Sequence, residues 1–423
     1  MTSRPFWAML VIMGPLVGVS FINAVRSYGE ASGQGGTAAG LADALFPLDG
    51  VVAPTFSAYE IAASFLLPFV AIRAVAGDRV SGALKLELQQ GMAPLSMVGA
   101  KALVLGVGWI LAAVPIGLAG ILWIGYGGSL YAPEIGSLVI GHLLNAGLVI
   151  ALAAAAAALS EHPSTAAILV LAFTVGTWVL SFVAAFQGGI WEQIASYTPS
   201  EMLQTFRRGL VRLDLILAAL ALIAAALVLA AIWMRLGVPV RRRAIESVAV
   251  IGIAAVLGFG ASYARPSWDI SENERNSFPA AETALLSKIT APLKIEAHLA
   301  PEDPRRFDLE LQTLSKLRRT MPNVTVEYVS STSTGLFEQA GAHYGEIWYD
   351  LAGKRAVGRA ATTDGVLDAI YELADIQRPP EGGAGHRGHP LAAQPTGAMP
   401  LFYVIWPVAV LGLGLLSRRR RLT

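Results

Sequence analysis

The chain has 423 residues, of which 54% are hydrophobic and only 14% charged, with a mean hydropathy of +0.56 and a formal net charge of +1. An ordinary globular chain is about 25% charged, so this composition excludes a soluble protein. There is no cysteine, which excludes disulfides, thiolate metal sites and a cysteine nucleophile together.

Apolar runs long enough to cross a hydrocarbon core predict eight spans, at about 5–25, 52–76, 98–125, 136–159, 166–186, 213–235, 247–264 and 398–416. Arg4 precedes the first run, but its length and the lack of a small-x-small cleavage site argue against a secretory signal. Arginines at Arg235, Arg241–Arg243 and in the Ser417–Arg421 tail set the orientation by the positive-inside rule. Both termini, the 77–97 segment and the 160–165 loop are then expected in the cytoplasm. Segments 26–51, 126–135, 187–212 and 265–397 are expected outside. Arg207, Arg208 and Arg212 run against this bias.

Between the second and third runs lies Arg73 to Lys101, the only nearby cluster of charge. Val80, Ala83, Leu84, Leu88, Met92 and Leu95 recur at steps of three or four. They predict one amphipathic helix over 78–93, with Asp78, Arg79 and Lys85 toward its other side and Pro94 ending it. Such a helix either lies along the bilayer surface or docks into a groove on a partner. The order Asp78, Gly82, Leu84, Leu86, Leu88, Pro94, Lys101 resembles the coupling segment of ABC-2 type transporter permeases. Two departures are Ala83 in place of the family's Thr and the interruption of the leucines by Gln89–Gln90. In the 187–212 loop, Tyr197-Thr198-Pro199-Ser200 and Phe206-Arg207-Arg208-Gly209 are similar to the short outer helices these permeases carry between spans five and six.

The resemblance implies a six-span ABC-2 permease domain over 1–240, pairing with a second permease copy or a paralogue as a dimer. It also implies a separate ABC ATPase subunit, which would hold ATP and Mg, while this chain binds no cofactor itself. Asp78, Arg79, Gly82, Leu84, Leu88, Pro94 and Lys101 would form the ATPase-coupling surface. The implied location is a bacterial inner membrane. Within the spans, Glu60, His142 and Asn145 are the polar residues to explain: they line a path through the bundle, or they sit near enough to an interface to be wetted. The run Ala151–Ala158, broken only by Leu152, reads as a helix-packing stripe.

The seventh span (241–264) leads into a more polar stretch, 265–376. Leu293, Ile295, Ala297 and Leu299 alternate with Lys294, Glu296 and His298 as in a strand. A helix should begin at Pro304 with Phe307, Leu311, Leu314 and Leu317 as its apolar stripe, and Val324–Val329 should complete a βαβ unit. A hairpin around Ala352–Gly353 and a helix burying Val366, Leu367, Ile370 and Leu373 follow. The opening phrase, Trp268-Asp269-Ile270-Ser271 through Phe278-Pro279, resembles that of GldG-type auxiliary domains of gliding-motility-like ABC systems, here shortened. Residues 377–397 read as a flexible Gly/Pro-rich linker and 398–423 as the eighth span with its basic tail.

Motifs for catalysis are missing. No Gly-x-x-x-x-Gly-Lys-Ser/Thr phosphate loop and no His-Glu-x-x-His zinc motif occurs. His386 and His389 lack a third ligand at metal spacing, so no metal site is expected. Acids and bases are mixed across 265–376 without interleaved aromatics, which argues against nucleic acid. The expected fold is a polytopic α-helical membrane protein, a six-span bundle plus two spans, with a small α/β extracytoplasmic domain. The expected function is the non-enzymatic permease subunit of an ABC exporter, its outer domain binding cargo or an accessory protein. A membrane-anchored scaffold or binding protein without transport activity is the alternative.

Overall fold

The computed structural model describes residues 4–34, 45–187, 190–300, 303–329, 343–379 and 387–419. Among them, eight helices are long and apolar enough to cross a bilayer: Arg4–Gly33, Leu48–Asp78, Pro94–Gly125, Ala132–Leu159, Pro163–Ala184, Leu213–Met234, Val240–Ala261 and Ala398–Ser417. Each overlaps one of the eight apolar runs. This is the architecture of a polytopic helical membrane protein.

The chain divides into two compact units, and the first comprises Met1–Thr177, Met202–Ser267 and His386–Thr423. Its central element is the fourth span, which packs against the second, third and sixth. Ala151 and Ala153–Ala158 are all buried. In lipid there is no hydrophobic drive between helices, so small side chains matter because they let backbones come close and gain dispersion contacts. The third span is two helices, Pro94–Ala112 and Val114–Gly125. Pro115 has no N–H to offer the preceding turn, and the chain tightens there through Ala113 N–H to Ile110 O at 3.1 Å.

The eighth span packs along the first. Phe402 and Trp406 lie directly on Gly18 and Gly14, where any Cβ would overlap the rings. The Trp406 indole N–H donates to the Leu10 carbonyl at 2.7 Å. Ahead of it, residues 387–397 depart from the flexible linker expected. His389 N–H donates to Leu45 O at 2.7 Å, the Tyr28 hydroxyl to His389 O at 2.7 Å, and Leu391 N–H to Ser32 Oγ at 2.9 Å. The segment is therefore a strap fastened to the end of the first span. His386, the other histidine of the expected loose pair, lies outside the described residues.

The second unit comprises Trp178–Glu201 and Trp268–Gly385. Its sheet has four strands: β1 (Leu293–Ala297), β2 (Val324–Tyr328), β3 (Ile347–Leu351) and β4 (Lys354–Gly358), in the order β2-β1-β3-β4. β1 pairs parallel with β2, completing the expected βαβ unit, and antiparallel with β3. The hairpin turn at Ala352 and Gly353 has φ of 53° and 86°, the mirror-image turn whose twist suits paired strands. Alternation puts Leu293, Ile295 and Ala297 beside Ile347, Tyr349 and Leu351 on one buried face. The final helix, Thr363–Ala374, buries Val366, Leu367, Ile370 and Leu373.

Two details were not expected. In the helical stretch from Pro304, a widened π turn at Glu310–Leu314 resets the phase of the side chains. Leu309, Leu314 and Leu317 are buried as a result, while Phe307 is left 64% exposed. The phrase from Trp268, in turn, is organised by one carboxylate. Asp269 accepts from Ser271 Oγ (2.5 Å) and Asn276 Nδ2 (3.1 Å) on Oδ1, and from Asn276 N–H (2.9 Å) and Ser277 Oγ (2.8 Å) on Oδ2. Burial works against its charge, but these hydrogen bonds outweigh burial and hold the carboxyl below its usual range.

Candidate functional site

The expected coupling segment is not one helix. The second-span helix, Ala53–Val80, runs on through Asp78 and stops at Ser81, whose N–H donates to Gly77 O at 2.9 Å. Gly82 then takes φ +76°, ψ −3°, the left-handed region that side chains with a Cβ resist. A separate helix, Ala83–Gln89, follows and closes on a second left-handed residue, Gly91, at φ +85°. Gly91 N–H bonds to Leu88 O (3.2 Å) and Met92 N–H to Glu87 O (3.4 Å), the paired reverse bonds of a Schellman cap.

Pro94 therefore does not end the amphipathic helix, as expected; Gly91 does. Pro94 occupies the first turn of Pro94–Ala112, where its missing N–H costs nothing, and Ala93 before it is extended. The two glycine breaks also reset the apolar face. Leu88 is half-buried against the bundle core, whereas Leu86, Met92 and Leu95 are exposed. Arg79 falls in the last turn of one helix and Leu84 in the first turn of the next; their side chains lie outside those described.

Two of the expected site residues are brought together across this elbow. The Lys101 ammonium forms an ion pair with the Asp78 carboxylate and also donates to Ala74 O at 3.3 Å. The pair is sheltered, with side-chain exposures of 17% and 34%. It fastens the start of the third span to the end of the second. Gly82, Leu88 and Pro94 all lie on the chain that loops between the two latched residues.

Glu60, His142 and Asn145 form a second grouping within the same unit. His142 is buried on the fourth span, its ring centroid 5.0 Å from Phe56 and 6.3 Å from Tyr59, and its Nε2 has no hydrogen-bond partner. Asn145, one turn on, is buried too, and Glu60 is half-buried on the second span. Arg207, not counted among the candidate site residues, acts through its charge on both Glu60 and His142. It belongs to the short helix Pro199–Arg207, and Phe206 of that helix docks on the fourth span. Ser137 Oγ donates to Phe206 O at 2.8 Å, and Gly141 leaves room for the Phe206 side chain. The sequence signals for Arg207 were its position against the arginine bias and its place in the Phe206-Arg207-Arg208-Gly209 phrase.

A Cβ at Gly141 would stand 2.6 Å from Phe206 Cβ. Gly141→Leu is accordingly expected to displace this docking and cost about 1–3 kcal/mol, as overpacking does. A fall in the melting temperature of the detergent-solubilised protein, absent in Gly136→Leu where no neighbour is near, would report it.

No protein-family model, curated protein or solved structure matches this chain.

Proposed function

We propose that this chain is the permease subunit of an ATP-driven exporter of the ABC-2 type, moved by a separate ATPase. The observation that carries the reading is the Asp78–Lys101 latch. The short helix Ala83–Gln89, set between two glycine joints, is a lever of fixed shape on hinged ends. Leu86, Met92 and Leu95 offer it an apolar contact for a partner. Displacement of the lever pulls on the latch, and the latch obliges the second and third spans to move together. ATP and Mg would be held by the partner. The bundle would pair with a second copy or a paralogue, and the 265–376 domain would receive cargo or an accessory protein outside the cell.

Co-purification of the full chain from its native membrane, with the retained proteins searched for an ABC ATPase, tests this. Lys101→Met should leave the protein folded and weaken ATPase retention by about five-fold, the equivalent of roughly 1 kcal/mol for a sheltered ion pair. Exchanging the two residues, Asp78→Lys with Lys101→Asp, should restore part of it. An ATPase that never co-purifies with the parent chain would leave the scaffold reading in its place.

A further inference from the structure

Beside the elbow lies a cavity of about 920 Å³, a size suited to a small-molecule or lipid ligand. Its walls come from the first, second, third and fifth spans, and most are apolar, with Met9, Leu67, Val70 and Leu105 among them. At one end this apolar space meets Arg73, Ser81, Lys101 and Ser164. The two cations there differ. Lys101 is engaged by Asp78, whereas Arg73 is exposed and has no hydrogen-bond or ion-pair partner among the described residues.

An arginine near the end of a membrane span needs either water or an anion beside it. Here it opens onto a greasy chamber that water would fill at a cost. The combination of an apolar body, two hydroxyls and an unspent guanidinium matches one kind of molecule, an anionic amphiphile. We propose that the cavity is a binding site for an anionic phospholipid of the surrounding bilayer. An acyl chain lies along the apolar wall and the phosphate sits on Arg73, close to Lys101. A bilayer supplies this ligand without diffusion through water. The arginine bias puts this end of the bundle at the cytoplasmic leaflet, where anionic lipids concentrate. The site needs no partner ATPase, so it stands apart from the export reading.

The test uses the full chain in nanodiscs made from equal parts of phosphatidylglycerol and phosphatidylcholine. Delipidation in mild detergent follows, and the lipid that remains bound is then read by native mass spectrometry. Phosphatidylglycerol should be retained in preference to phosphatidylcholine. Arg73→Gln should reduce that preference by about five-fold, the worth of one basic side chain near an anionic surface, and Arg73→Lys should keep most of it. Val104→Trp, which narrows the cavity without changing its charge, should lower retention of the lipid as well. Melting temperatures matched to the parent establish that each variant is folded. Equal retention of the two lipids, or an Arg73→Gln variant that retains phosphatidylglycerol like the parent, overturns the proposal. So does displacement of the lipid by millimolar inorganic phosphate, which would make the site one for a free anion.

Discussion

Gly82→Val is expected to disable the elbow while leaving the bundle intact. At φ +76° a valine is strained by its own backbone, by about 1–3 kcal/mol for a residue forced into the left-handed region. A Cβ there would meet no neighbouring atom within 4 Å, so the cost is purely conformational and no repacking can relieve it. The chain escapes by moving Gly82 out of that region, which swings the Ala83–Gln89 helix away from its place. Gly82→Asn is the matched control, since asparagine tolerates the left-handed conformation best among residues with a side chain. On the exporter reading, Gly82→Val should lose most of the co-purifying ATPase, and it should open 83–93 to protease with an unchanged melting temperature. Gly82→Asn should behave like the parent in both assays. Identical behaviour of the two variants would show that the joint does not need its conformation.

Asp269→Ala should unfold the start of the second unit. The five side-chain and backbone donors that converge on this carboxylate, Ser271 N–H among them, would be left facing a methyl group. Loss of charge-assisted bonds of this kind costs roughly 2–4 kcal/mol in total. Hydrogen-exchange mass spectrometry on the full chain should show protection falling across 268–300 and β1–β4 but not in the spans.

Acid should act in the same direction. Hydrogen bonding and charge from Arg305 hold Asp303 down to about 2, and hydrogen bonds from Trp348, Arg359 and His343 do the same for Glu346. Asp269 is lowered as well. A carboxyl whose folded value lies below its unfolded one stabilises the fold above the ordinary carboxylate range, and that contribution is lost as pH falls through the folded value. Stability of the second unit should therefore be flat above about pH 5 and decline between about pH 4 and pH 2. Asp269→Ala should flatten part of that decline. A second unit equally stable at pH 7 and pH 2.5 would refute the assignment.

The spans were legible because an apolar run near 20 residues has few other uses, and the strands because Leu293–Leu299 alternates strictly. The elbow was legible as a place but not as a shape. Apolar spacing continues across Ser81–Gly82 and Gly91, so the periodicity from Val80 to Leu95 shows one helix where the backbone breaks twice. Phe307 was misplaced for a related reason: one widened turn shifts every later side chain, and no residue type announces it. The strap at 387–397 carries the composition of a loose linker, yet its main-chain groups bond whatever side chains they bear. Asp78 and Lys101 were each picked out by the motif, but nothing in the order of residues said that they touch. Glu60 and Arg207 were recognised separately, and their mutual influence depends on a short helix folding back onto the fourth span.

The strap has one further consequence. With the seventh span packed on the sixth, and the strap and eighth span fixed to the first, both ends of the polypeptide between them are pinned in the bundle even when it unfolds. Its denatured ensemble is a closed loop rather than a free coil. Closing a loop of on the order of 100 residues by a covalent bridge removes chain entropy worth about 4.7 kcal/mol, and two membrane anchors set further apart recover some fraction of that. A chain with no cysteine thus obtains from its topology part of what secreted domains obtain from a disulfide.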